Sequence, residues 1–180
     1  MKDVTLAIKP LFTDPTKPMT QLPAYACEND AGMDCYAYME GTTVVLNGKH
    51  QDGYSQQGVY SESPATVQLN PGDIIRIQLG WACRVPVGYG MFLLPRSGLG
   101  SKQLIIPNAP GLIDHGYSNG VEVLLQNEGR QPMFIHHGMR VCQMLLLELP
   151  KVNLEVYLYP QHLPAAESNR NGGFGHTGEQ

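Results

Sequence analysis

The stretch Asn108 to Asn127 reads Asn-Ala-Pro-Gly-Leu-Ile-Asp-His-Gly-Tyr-Ser-Asn-Gly-Val-Glu-Val-Leu-Leu-Gln-Asn, and it sets a carboxylate, Asp114, close to an aromatic ring, Tyr117. The apolar pair Leu112-Ile113 runs into Asp114, a cluster of turn residues follows, and a second apolar run opens at Val121. Two such runs around Gly, Ser and Asn predict a β-hairpin with Asp114 and Tyr117 at the shoulders of its tip. A carboxylate beside a ring, on a rigid hairpin whose turn leaves backbone groups unpaired, suits a planar polar ligand. Alone the pattern is weak, because an Asp at a turn most often bonds its own backbone.

Four other stretches carry polar chemistry. In Pro95-Arg96-Ser97-Gly98-Leu99-Gly100, Arg96 offers a fork of donors, Ser97 a hydroxyl, and the glycines allow close backbone N–H groups. That combination suits phosphate oxygens, and equally an ordinary salt bridge beside a turn. In Gly138-Met139-Arg140-Val141-Cys142-Gln143-Met144, Gln143 interrupts an apolar face, and a buried amide needs partners. Asp34 follows Ala31-Gly32 and could support a cation or serve the turn. His136-His137 do not make a metal site, because neighbours on a strand point opposite ways and no third ligand is spaced to help. Arg170-Asn171-Gly172-Gly173-Phe174-Gly175-His176-Thr177-Gly178 is the most informative part of the tail. Glycines let a chain wrap tightly, Phe174 can stack on a flat ring, and Arg170, His176 and Thr177 can bond phosphate. Together they describe a lid that orders over a nucleotide.

The elements that must position these residues are short strands. Candidates are Val4–Ile8, Ala31–Tyr38 with Thr42–Leu46 as its partner, Thr66–Leu69, Ile74–Leu79, Trp81–Val85, Met91–Leu94, Gln103–Ile106, Val121–Leu125, Met133–Ile135, Val141–Leu147 and Leu154–Leu158. Pro71-Gly72, Pro86 and Gly88 mark turns, and Arg96 to Lys102 reads as a short helical turn. No long segment has helical period, so the fold class is all-β, a sandwich or jelly roll. Residues 47–65 are polar, rich in Gly, Ser and Gln, and read as a long exposed loop. Residues 1–160 form the expected domain, and 161–180 a flexible Gly-rich arm.

Composition narrows the partners. The 180 residues suit one domain with a proper core. A net charge of −4 gives no basic footprint for nucleic acid. An acidic protein that handles a polyphosphate must place its cations locally or borrow a metal. Cys27, Cys35, Cys83 and Cys142 contain no Cys-x-x-Cys pair, so reduced buried thiols are expected. No apolar run reaches membrane-span length, and Met1 to Pro10 lacks a secretory core. The expectation is a soluble, cytoplasmic protein.

In chain order, Ala31-Gly32-Met33-Asp34, Pro95-Arg96-Ser97-Gly98, Gly111-Leu112-Ile113-Asp114-His115-Gly116-Tyr117, Gly138-Met139-Arg140-Val141-Cys142-Gln143 and Gly173-Phe174-Gly175-His176-Thr177-Gly178 resemble the motifs of the trimeric dUTPase family. The resemblance implies a β jelly roll (a distorted β-barrel) in a homotrimer. Each active site is then built from all three chains, with the C-terminal arm reaching over a neighbour. It implies hydrolysis of dUTP to dUMP and pyrophosphate, with Mg²⁺ held by the triphosphate and no direct protein ligand. By resemblance Asp114 activates the attacking water, Gln143 holds the α-phosphate region, and Asp34 bonds waters of the metal shell. Arg96, Ser97 and Gly98 hold phosphates, and Tyr117 packs under deoxyribose. The hairpin, with Asn108, Leu112, Ile113 and Glu122 along it, reads uracil as a strand partner would. Phe174 and Gly175 cover the base, while Arg170, His176 and Thr177 close on the β- and γ-phosphates.

The chain departs from the family pattern in a few places. Asn119 stands where the family has Gly after the motif tyrosine, which predicts an altered turn, since Asn tolerates left-handed backbone. Arg170 lies one place closer to the Phe than is usual, and the 47–65 segment exceeds what the family needs. The sister family of dCTP deaminases shares the hairpin but needs a Glu where this chain has Leu124; Glu122 lies on the same face, one pair away. A third reading is a binding or regulatory protein on the dUTPase scaffold, with that long loop as its interaction surface.

Overall fold

The computed structural model describes residues 4–12, 19–39, 44–50, 53–60, 66–162 and 164. Its strands are β1 (Ala7–Pro10), β2 (Met33–Tyr36), β3 (Val44–His50), β4 (Gly53–Tyr60), β5 (Thr66–Leu69) and β6 (Ile74–Arg84). They continue as β7 (Tyr89–Leu94), β8 (Leu104–Ile105), β9 (Gly111–Ile113), β10 (Gly120–Asn127), β11 (Met133–His136) and β12 (Arg140–Glu148). One helical turn, α1 (Ser97–Gly100), follows β7, and a 3₁₀ turn occupies Pro160–His162. Every ladder is antiparallel. One sheet runs β4-β3-β6-β10-β8 with β1 also on β6, a second runs β2-β12-β7-β9, and β11 pairs with β5. The class is all-β as expected; the sheets do not close into a barrel.

Period-two burial builds the core. In β5, Val67 and Leu69 point inward while Thr66 and Gln68 stay out, and in β10 Val121, Val123 and Leu125 alternate with Glu122 and Leu124. With Ile75, Ile77, Leu79, Trp81, Met91, Leu93, Ile135, Val141 and Met144 they form one apolar cluster. Asn127 is fully buried at the end of β10 and donates to the carbonyls of Leu69 and Gln131, both at 2.9 Å. Buried polar groups need such partners.

The sheets correct several expectations. The strands expected at Ile74–Leu79 and Trp81–Val85 are one strand, β6, which bulges at Gly80 (φ +80°). A Cβ there would sit 2.9 Å from Tyr38 Cβ, so the position excludes a side chain. Tyr38 is itself clasped, with Phe12 stacked at 4.3 Å and His137 edge-on at 4.9 Å. Residues 44–50 and 53–60, read as partly strand and mostly loop, form the β3–β4 hairpin, and β3 pairs with β6. A backbone ladder templated by a neighbouring strand needs no apolar alternation in its sequence. β3 is therefore not the partner of β2, which pairs with β12. Leu154–Leu158 is not a strand: Leu154, Val156 and Leu158 are each more than 80% exposed, at 86%, 82% and 82%. The compact unit ends at Pro150, and 151–180 form a separate one.

The candidate active site

The expected hairpin at 108–127 is splayed. β9 pairs with β7 and β10 with β6, and the two do not pair with each other. The chain crosses from one sheet to the other through loop 114–119, and the gap is a cleft of about 640 Å³. Its lining includes Asn108, Leu112, Ile113, Asp114, Tyr117, Glu122 and Leu124, together with Arg76. Among the described residues, β8 covers the outer edge of β10 only at Gln126 and Asn127 and no strand pairs with the outer edge of β9, so both edges border the cleft without a ladder partner.

Within it, Asp114 is exposed and makes no hydrogen bond or ion pair through its carboxylate among the described residues. Tyr117 is half-buried; its N–H donates to Asp114 O (3.1 Å) and its hydroxyl to Gly120 O (2.7 Å). Those bonds close the loop without left-handed backbone at Asn119, so the turn differs from the one Asn119 suggested. Burial, then the nearby Glu122 and Cys83, push the Tyr117 phenol above its usual pKa. Glu122 faces Arg76 at 3.8 Å. Arg76 escaped the sequence reading because it lies far off in sequence; only the β6–β10 register brings it there.

A second pocket of about 370 Å³ collects residues of three other motifs: Gly32, Asp34, Arg96, Ser97, Gly98, Arg140 and Gln143. Asp34 on β2 and Gln143 on β12 are ladder partners, and Leu94, just before Pro95-Arg96, faces Gln143 from β7. Arg96 Nε donates to Asp34 Oδ1 (2.7 Å) and Arg140 Nη1 to Asp34 Oδ2 (3.0 Å). Both carboxylate oxygens are thus engaged, each with a second lone pair left. Gln143 Nε2 donates to Pro95 O (2.9 Å), and its Oε1 lies 3.0 Å from where a Cβ on Gly32 would stand. A side chain at Gly32 would press on this amide and shift it by a few tenths of an ångström. Arg140 is the residue the sequence reading quoted without a role; its charge made it visible, but its partner did not follow from spacing. Ser97 and Gly98, the first residues of α1, line this pocket, and the first N–H groups of a helical turn have no partner within it. Of the His pair, His137 Nδ1 accepts from Met39 N–H at 3.2 Å. Arg170, Phe174, Gly175, His176 and Thr177 lie outside the described residues.

Asp34 lies on the edge strand β2 and Asp114 just past the opposite edge strand β9, while both pockets reach β7, one through Leu93 and the other through Arg96 just beyond it. Asp34 and β9 are separated by three strand spacings, about 14 Å, and Asp114 lies further along by about another 13 Å of strand. A single phosphate cannot touch both on one chain. Among the described residues no group of His, Cys, Asp and Glu could hold a metal ion, and no helix is long and apolar enough to cross a membrane.

The fold is all-β, with two pockets that gather the polar residues of several sequence motifs. Residues 58–178 match the model of the dUTPase family. The deoxyuridine 5'-triphosphate nucleotidohydrolase of Desulfotalea psychrophila is 38% identical over 158 residues, 87% of this chain and 87% of that protein. The one from Gloeobacter violaceus is 34% identical over 121 residues, 67% of this chain and 80% of that protein. A mutant dUTPase of Staphylococcus bacteriophage 80alpha, solved with dUpNHpp, superposes with a TM-score of 0.71 at 20% identity, over 97% of this chain and 99% of that chain. The dUTPase of S. aureus phage phi11, whose structure displays a species-specific insert, superposes with a TM-score of 0.63 at 20% identity, over 89% of this chain and 100% of that chain. This chain belongs to the dUTPase family, hydrolases that act on dUTP.

Proposed function

We propose that the protein hydrolyses dUTP to dUMP and pyrophosphate, with Asp114 activating the water that attacks the α-phosphorus. The observation that carries this is the splayed hairpin: an exposed carboxylate and an anchored tyrosine beside two strand edges that have no ladder partner among the described residues. Those edges offer a pyrimidine N–H and C=O partners that a neighbouring strand would offer. Such a slot rejects cytosine by its reversed donor and acceptor pattern and thymine by its methyl. Tyr117, tied at its hydroxyl, cannot swing aside, so its ring sits firmly under a deoxyribose and excludes a 2′-hydroxyl. Asp114 has no competing partner among the described residues, so its lone pairs are available to a water.

Arg96, Ser97, Gly98 and Gln143 bind the phosphates in this reading. In this reading Mg²⁺ arrives with the substrate and neutralises charge on the triphosphate; Asp34 is held by two arginines, and among the described residues no donor set could hold an ion. Asp34 keeps lone pairs for water in that shell. The separation of Asp114 from Asp34 supports a site assembled between chains of a homotrimer. Phe174, Gly175, His176, Thr177 and Arg170 complete the site as a lid.

Pyrophosphate release from dUTP, dCTP, dTTP and UTP, each with Mg²⁺ and with EDTA, tests the reading. Turnover confined to dUTP and suppressed by EDTA is expected. Ammonia from dCTP would instead favour the deaminase chemistry that Leu124, lining the cleft in place of a Glu, argues against.

A further inference from the structure

We propose that His115 is a positioning residue that aims Asp114, by clamping the loop between β9 and β10 to the carbonyl of Val85. The proposal rests on the reading of Asp114 as the residue that activates water. His115 Nδ1 lies 2.6 Å from Val85 O. A carbonyl only accepts, so Nδ1 carries the hydrogen and donates it. Val85 is fully buried, directly after β6, and the turn behind it is closed by Tyr89 N–H donating to Pro86 O at 3.1 Å. The acceptor is therefore a fixed point of the core.

Loop 114–119 needs such a point. Because β9 and β10 belong to different sheets, no ladder spans the loop's two ends. Its other hydrogen bonds, Tyr117 N–H to Asp114 O and Tyr117 hydroxyl to Gly120 O, close the loop on itself. Among the described residues, the His115 bond is the one hydrogen bond that ties the loop to an element other than its flanking strands β9 and β10. Gly116, next in sequence, gives the backbone freedom that the clamp removes. A carboxylate that must meet both a water and a phosphorus tolerates errors of only fractions of an ångström. Nδ1–H is present in one neutral tautomer and in the imidazolium alike, so the clamp persists across the pH range and adds no limb to a pH profile.

The test compares steady-state dUTP hydrolysis, with Mg²⁺, by the wild-type chain and three variants. Asn carries an N–H at the place of Nδ1, whereas Gln carries one at the place of Nε2 and Ala carries none. His115→Ala and His115→Gln are expected to lose about tenfold in kcat with KM within about twofold, while His115→Asn stays within about threefold of wild type. The pH profile should keep its shape throughout. The Gln variant carries the comparison if the Ala variant does not fold. Wild-type kcat in the Ala or Gln variant overturns the clamp, as does an Asn variant as slow as they are. Loss of one pH limb also overturns it, since the ring would then be moving a proton itself. These outcomes leave the function standing; a wild-type chain that does not turn over dUTP overturns both.

Discussion

Asp114 and Tyr117 divide the work of the cleft by what each is bonded to. Among the described residues Asp114 has no partner for its carboxylate, which leaves it open to a water, whereas Tyr117 is pinned at both its N–H and its hydroxyl. Asp114→Ala is expected to abolish turnover, a loss of at least about a thousandfold in kcat, while dUTP still binds; persistent turnover would remove Asp114 from the role. Tyr117 allows a prediction in pH. Its folded pKa lies above the usual value near 10. The protonated phenol therefore contributes stability that is fully present below pH 10 and is lost as pH rises through the folded value. The gap in thermal midpoint between wild type and Tyr117→Phe should narrow above pH 10; a gap that stays constant there would place the phenol outside the fold's energetics. Both residues were legible in the sequence because a hairpin signature surrounds them. Arg76 and Arg140 were not, because their roles come from partners on other strands, Glu122 and Asp34.

At the scale of elements, the site depends on the register of β6 against β10. β6 holds β3 and β1 along one edge and β10 along the other, and the bulge at Gly80 falls where β10 shifts between Gly120 and Glu122. The bulge thus sets where the loop re-enters the sheet. Gly80→Ala would place a side chain at φ +80° and against a Tyr38 ring already held between Phe12 and His137. It should cost about 2–4 kcal/mol, seen as a lower midpoint in chemical denaturation; an unchanged midpoint would mean that Tyr38 moves freely. Alternation made strands such as β5 and the first part of β10 legible, since each buries every second residue. The β3–β4 hairpin was not, because its polar sequence follows a ladder set by β6. Nor was the splaying of β9 from β10: local turn chemistry says that a chain reverses, not which sheet each arm joins.

For the whole molecule, the argument turns on the register that keeps Asp114 apart from Arg96 and Gln143 within one chain. A nucleotide seated at Asp114 cannot lay its α-phosphate on the Arg96 and Gln143 of the same chain, given the separation across β12 and β7. If the reaction needs all three residues, copies must supply them to each other. This yields a test that no single-chain site could pass. Asp114→Ala leaves the phosphate pocket intact, and Arg96→Ala leaves the cleft intact, with Arg140 still on Asp34. Each variant alone should be inactive. Mixed by co-expression, a site works when one chain brings Asp114 and its neighbour brings Arg96, which random assembly in a ring of identical subunits provides in about one quarter of sites. Recovery of about a quarter of wild-type turnover is therefore expected from two inactive proteins. A mixture as dead as its components would mean that each chain folds its own pockets into one site, and the assembly between copies would have to be abandoned.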